Sequence, residues 1–148
     1  MKRKGLFLIG GLVVTLLVLI FSTVLFENLY YEREFSNEMY NQNLNFIVAV
    51  VTCIVAWAVA GLYYYGINSV SFSRWYHWLI MLVVASALSA IINYVYPNNI
   101  FSDEGLNFSA QLFSFCLVDF VLTAVMFIIA SFSIRWWSSN CRHTPIPE

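Results

Sequence analysis

Four blocks of almost uninterrupted apolar residues limit what this chain can fold into. They run from Gly5 to about Phe26, from about Leu44 to Tyr65, from about Trp78 to Tyr96 and from about Ala110 to Ile134. A helix rises 1.5 Å per residue, so roughly 20 such residues cross a hydrocarbon core of ~30 Å. None of the four blocks has a proline in its interior. The remaining residues cannot offset this apolar content in water. Of 148 residues, 61% are hydrophobic and only 10% charged, against roughly a quarter charged in a soluble domain. The sequence therefore predicts a lipid-solvated chain. With lipid on all sides the backbone must satisfy itself internally, and this length supplies too few strands for a closed barrel. The expected fold is all-α: a polytopic membrane protein with four transmembrane helices in an antiparallel bundle, forming a single domain over 1–148.

The basic residues orient that bundle. Lys2, Arg3, Lys4, Arg74, Arg135 and Arg142 fall on one side of four crossings, and only Arg33 falls on the other. By the positive-inside rule both termini are cytoplasmic. Glu27, Glu32, Glu34, Glu38, Asp103 and Glu104 collect on the outer side. The first block follows Met1-Lys2-Arg3-Lys4 but is longer than a signal-peptide core and has no small-residue cleavage site, so it reads as a retained anchor. That pattern suits a bacterial inner (cytoplasmic) membrane.

Two polar outer loops, 27–43 and 97–109, join the helices. The segment Asn28–Gln42 has the makings of a juxtamembrane helix with Leu29, Phe35 and Met39 as apolar contacts. Pro97-Asn98-Asn99 and Asp103-Glu104-Gly105 carry turn chemistry. The segment Gly66–His77 is a tight cytoplasmic turn, and 135–148 is a cytoplasmic tail whose prolines exclude a long helix. Trp75, Trp78, Arg135, Trp136 and Trp137 are expected to anchor the cytoplasmic rim among lipid headgroups.

Asp119 is the one carboxylate deep in an apolar block. It lies roughly 13 Å from the outer end of its helix, where a charge is costly and a partner is required. Ser86, Ser89, Thr52 and Cys53 lie at comparable depth, and Asn93 sits nearer the outer surface. No Lys or Arg lies at that level, so Asp119 is expected to be protonated, hydrogen-bonded to a hydroxyl or amide, or paired with a cation from another subunit. Small residues at Ala85, Ser86, Ser89 and Ala90, and at Gly10 and Gly11, permit close helix approach within or between chains.

Cys53 and Cys116 read as packing residues, and Cys141 with His143 is too small a set for zinc. No nucleophile–base pair, phosphate loop or metal cluster marks an enzyme, and no basic patch marks nucleic-acid binding. No cofactor, metal or small-molecule substrate is expected. The expected partners are the bilayer and other membrane subunits. The function that fits is a non-enzymatic subunit anchoring or assembling a larger membrane complex, such as a secretion or envelope-spanning machine. The alternative is an oligomeric channel or small transporter built on Asp119, although a conducting path usually needs several polar residues on one face.

Overall fold

The structure, a computed structural model, describes residues 2–146. Those residues are helical throughout their regular parts, with no strand among them. Six α-helices follow in order: α1 (Lys2–Ile20), α2 (Ser22–Leu29), α3 (Arg33–Asn41), α4 (Leu44–Gly61), α5 (Trp75–Asp103) and α6 (Ser109–Ile134). Four stretches are long and apolar enough to cross a membrane: Arg3–Ile20, Leu44–Ile67, Trp75–Asp103 and Ser109–Trp137. An integral membrane protein fits this architecture.

Contacts between the helices define two ends. At one, Phe7 of α1 stacks on Trp136 at 5.6 Å, and Trp78 of α5 packs on Phe127 of α6 at 5.6 Å. At the other, Phe26 of α2 meets Phe115 of α6 at 5.0 Å, and Phe35 of α3 meets Phe101 of α5 at 6.1 Å. The first is called the terminal end, since residues near both chain termini gather there; the second is the far end.

α4 starts at Leu44 and α6 ends at Ile134, while the first and third blocks are divided differently from the expectation. The first block is interrupted at Phe21 (φ −97°, ψ 23°), which separates α1 from α2. In the third block Pro97 does not end the helix; α5 continues through it to Asp103. A proline inside a helix forfeits one backbone bond and crowds the preceding turn, a cost of about 3 kcal/mol. Burial offsets that cost. Asn93, Pro97 and Phe101 fall four apart on one face, all buried, and the extension carries Phe101 into a cluster with Phe35 and Phe108. The true turn lies at Asp103-Glu104-Gly105. Gly105 takes φ +77°, a conformation that side chains with a Cβ rarely adopt. The amides of Gly105 and Leu106 then bond back to the carbonyls of Ser102 (3.1 Å) and Phe101 (2.7 Å), a Schellman closure.

The outer-loop segment folds as α3. Glu32 caps it by accepting the Phe35 amide at 3.0 Å, and Ser36 Oγ accepts the Glu32 amide at 3.1 Å. Phe35 and Met39, four apart, are both buried beneath it. The rest of α3 is polar, so water is the alternative surrounding for these two side chains. Each burial therefore contributes about 1.5–3 kcal/mol. Leu29, expected beside them, is instead about half exposed. A hydrogen bond from Gln42 to Glu104 ties the end of α3 to the end of α5.

At the terminal end α4 runs into a π-helical turn, Leu62–Ile67, and a 3-10 turn over Val70–Phe72. A last 3-10 turn, Arg135–Trp137, closes α6. The chain beyond it folds back onto the bundle.

Candidate functional site

The polar residues inside the bundle converge on Asp119. Thr52 (α4) faces it because positions 45, 48, 49, 52, 53, 56 and 60 form the buried stripe of that helix. Ser89 and Asn93 face it from α5, one turn apart on the stripe continued by Ser86 and Pro97. Thr52 Oγ1 donates to Asp119 Oδ1 at 2.6 Å. Ser89 Oγ donates to Oδ2 at 3.1 Å, and Asn93 Nδ2 donates to the same oxygen at 2.9 Å. The donors also touch one another, with Asn93 Nδ2 3.3 Å from Ser89 Oγ and 3.4 Å from Thr52 Oγ1. One turn further along α6, Thr123 Oγ1 donates to the Asp119 carbonyl at 2.8 Å.

The carboxyl group thus joins three helices through groups of this chain alone. Asp119, Thr52 and Ser89 are 0% exposed, and Asn93 is 2% exposed. Packed side chains enclose the carboxyl on both sides along the bundle. Phe127, Met126, Ala56 and Ala85 fill the core toward the terminal end. Toward the far end, Phe35 stands among Phe101, Phe108 and Phe115 at ring distances of 5.6–6.1 Å.

The remaining sequence candidates separate into groups. Ser86 is fully buried but its hydroxyl has no hydrogen-bond partner, so it belongs with Ala85 to the close-packed stripe and not to the polar knot. Ala90 is only half-buried, beside Phe113, Cys116 and Phe120 at the α5–α6 margin. Gly11 is buried against Ser133 and Trp57, whereas Gly10 has no neighbour within 4 Å of where a side chain would begin. Successive helical residues point about 100° apart, so only one of two adjacent glycines can face α6. Trp57, set well inside α4, donates its indole N–H to Thr15 Oγ1 at 2.9 Å and so joins α4 to α1.

The rim anchors need correction. Trp75 and Trp137 are exposed. Trp78 is instead a core residue, 8% exposed, with its Nε1–H donating to Ser131 Oγ at 3.1 Å. Arg135 is 6% exposed and bends inward to donate from Nη1 to the Ile146 carbonyl at 2.7 Å. Its guanidinium lies 4.2 Å from the Trp136 ring and 5.0 Å from Phe132, and Trp136 is itself half-buried. The two departures have different causes: Trp78 packs against Phe127 and Ser131 of α6, whereas Arg135 is drawn in by the tail.

Sequence reasoning missed the residue that organises that cover. Asn68, in the left-handed region at φ 35°, receives the tail. The legible signal was an asparagine at a chain reversal, since asparagine tolerates this conformation better than most residues. Burial pushes the thiol of Cys141 above its ordinary range, with the Ser69 carbonyl 3.6 Å away. Among the described residues, no three His, Cys, Asp or Glu side chains gather as a metal-binding group. Compared with protein-family models, curated proteins and solved structures, the chain matches none.

Proposed function

We propose that this chain is a non-enzymatic subunit of a bacterial inner membrane that anchors or helps assemble a larger protein complex, such as a secretion or envelope-spanning machine. In this reading it crosses four times as an antiparallel bundle, with both termini cytoplasmic. The positive-inside distribution of Lys2, Arg3, Lys4, Arg74, Arg135 and Arg142 supports that orientation.

One observation carries the functional reading: the enclosure of Asp119. A membrane carboxylate that serves transport lines a wet cavity or pathway. This one is 0% exposed and has its oxygens occupied by Thr52, Ser89 and Asn93. It fastens α4, α5 and α6 into one unit. Such a unit presents aliphatic sides to its surroundings and polar groups at its two ends, which suits a scaffold. The channel reading, by contrast, requires both the aromatic cap at Phe35 and the core around Phe127 to open.

The test is purification of the tagged full chain at native expression in mild detergent, with mass determination and identification of co-purifying chains. The expected result is a discrete assembly with other membrane proteins at fixed stoichiometry. A clean monomer or homo-oligomer sinks the subunit reading and moves attention to ion flux in Asp119 variants.

A further inference from the structure

Beyond α6 the chain turns under the terminal end, and its hold there is almost entirely polar. Asn68 Oδ1 accepts from Ser138 Oγ and from the Asn140 amide, each at 3.0 Å. The Asn68 carbonyl accepts from Asn140 Nδ2 at 2.6 Å, and Asn68 Nδ2 donates to Ser139 Oγ at 2.8 Å. Further on, the Tyr64 hydroxyl donates to the Thr144 carbonyl at 2.7 Å, and Thr144 Oγ1 donates to the Ser73 carbonyl at 2.6 Å. Ser138 Oγ also lies 2.8 Å from the Tyr64 carbonyl, within the π-helical turn, where helical bonding is irregular and carbonyls are free for outside donors.

The rings of Tyr63 and Tyr64 are buried in one cluster with Cys141, but the tail itself contributes little apolar surface to back these bonds. Cys141 is the one fully buried apolar side chain between Ser138 and Ile146, and Ile146 itself is 58% exposed. A hydrogen bond replaces one with water and gains little net, while each ordered residue gives up backbone freedom. The two nearly cancel. The long helices, by contrast, are held by continuous packing and by the Asp119 knot. Segments with polar contacts and little apolar burial open at low free energy while the rest stays folded.

We infer that residues 138–146 form a latch that opens and closes over the terminal end of the folded bundle, with Asn68 as its keeper. Opening releases a short segment bearing Ser138, Asn140 and Cys141 and uncovers Asn68 and the Tyr64 hydroxyl. The inference does not depend on the proposed function. A latch of this kind serves a subunit or a transporter equally well.

Cys141 reports the opening directly. Buried when closed, it meets a thiol reagent only when the segment lifts, while Cys53 and Cys116 remain inside the helices. The experiment labels the full chain in nanodiscs with a water-soluble maleimide and follows each cysteine by mass spectrometry. Cys141 is expected to react at least tenfold more slowly than in the denatured chain. Asn68→Ala, which removes the side-chain bonds to Ser138, Ser139 and Asn140, is expected to accelerate it about tenfold. Tyr64→Phe keeps the ring and removes one bond, and is expected to accelerate it about threefold. Cys53 and Cys116 should keep their parent rates in both variants. Unchanged Cys141 labelling in Asn68→Ala, or in Tyr64→Phe where the alanine variant does not fold, overturns the latch. So does joint acceleration of all three cysteines, since the tail then opens only with the bundle.

Discussion

Asp119→Leu is expected to lower the unfolding free energy by about 2–4 kcal/mol, while Asp119→Asn stays within about 1 kcal/mol of the parent. Leucine matches the surroundings of a lipid-embedded helix better than aspartate, so an insertion argument alone gives the opposite order. The order follows from what is left behind. Removing the carboxyl leaves the buried donors of Thr52, Ser89 and Asn93 with only the long contacts of 3.3–3.5 Å that they make to one another. Interhelical hydrogen bonds in membranes average about 0.6 kcal/mol and reach about 1.7, and three are lost together. Asparagine keeps an acceptor for Asn93 and Ser89, and its amide donates to Thr52 once that hydroxyl turns round. The measurement is an SDS titration followed by circular dichroism on the three proteins. A leucine variant as stable as the asparagine variant contradicts the account of Asp119 as the fastening of the core.

Gly11→Ala is the second large effect, expected to cost about 1–3 kcal/mol by overpacking. A methyl group at Gly11 sits 2.0 Å from Ser133 Oγ and 2.9 Å from Ser133 Cβ, with Trp57 3.4 Å away. The hydroxyl can rotate away from its bond to Ile129, but the Cβ can move only with the backbone of α6. Ser133→Ala therefore does not rescue the variant, whereas Ser133→Gly does. Gly10→Ala is the control. Its methyl meets nothing within 4 Å, and alanine's better helix propensity makes it neutral or up to about 1 kcal/mol stabilising. Equal effects from the two glycines rule out the close approach of α1 to α6 as the cause.

The four apolar blocks were legible because lipid imposes one length and one secondary structure on whatever crosses it. Asp119 was legible for the same reason: a lone carboxylate in such a block must find donors, and Thr52 and Ser89 lay at about its depth with Asn93 nearer the outer surface. What the sequence did not disclose is how the ends close. Pro97 reads as a stop because local rules weigh the lost amide bond, while the gain from seating Phe101 among Phe35 and Phe108 depends on residues far apart in the chain. Trp78 reads as a headgroup anchor because its seat against Phe127 and Ser131 depends on how α5 meets α6, and Arg135 because a rim arginine faces lipid unless something covers it. The cover is a tail without hydrophobic periodicity, recognised only through Asn68, whose bonding partners lie about seventy residues away. Gly10 and Gly11 were indistinguishable until the direction of α6 was known.

The polar knot also has a direction in time. Its donors belong to α4 and α5 and its acceptor to α6, so a ribosome delivers Thr52, Ser89 and Asn93 before Asp119. The donors of α4 and α5 therefore all exist before the helix that carries their acceptor has been made. That order lets Asp119 meet Thr52, Ser89 and Asn93 as soon as α6 joins the bundle. A chain with the same four helices in another order would have to hold that carboxyl in lipid until its partners were made.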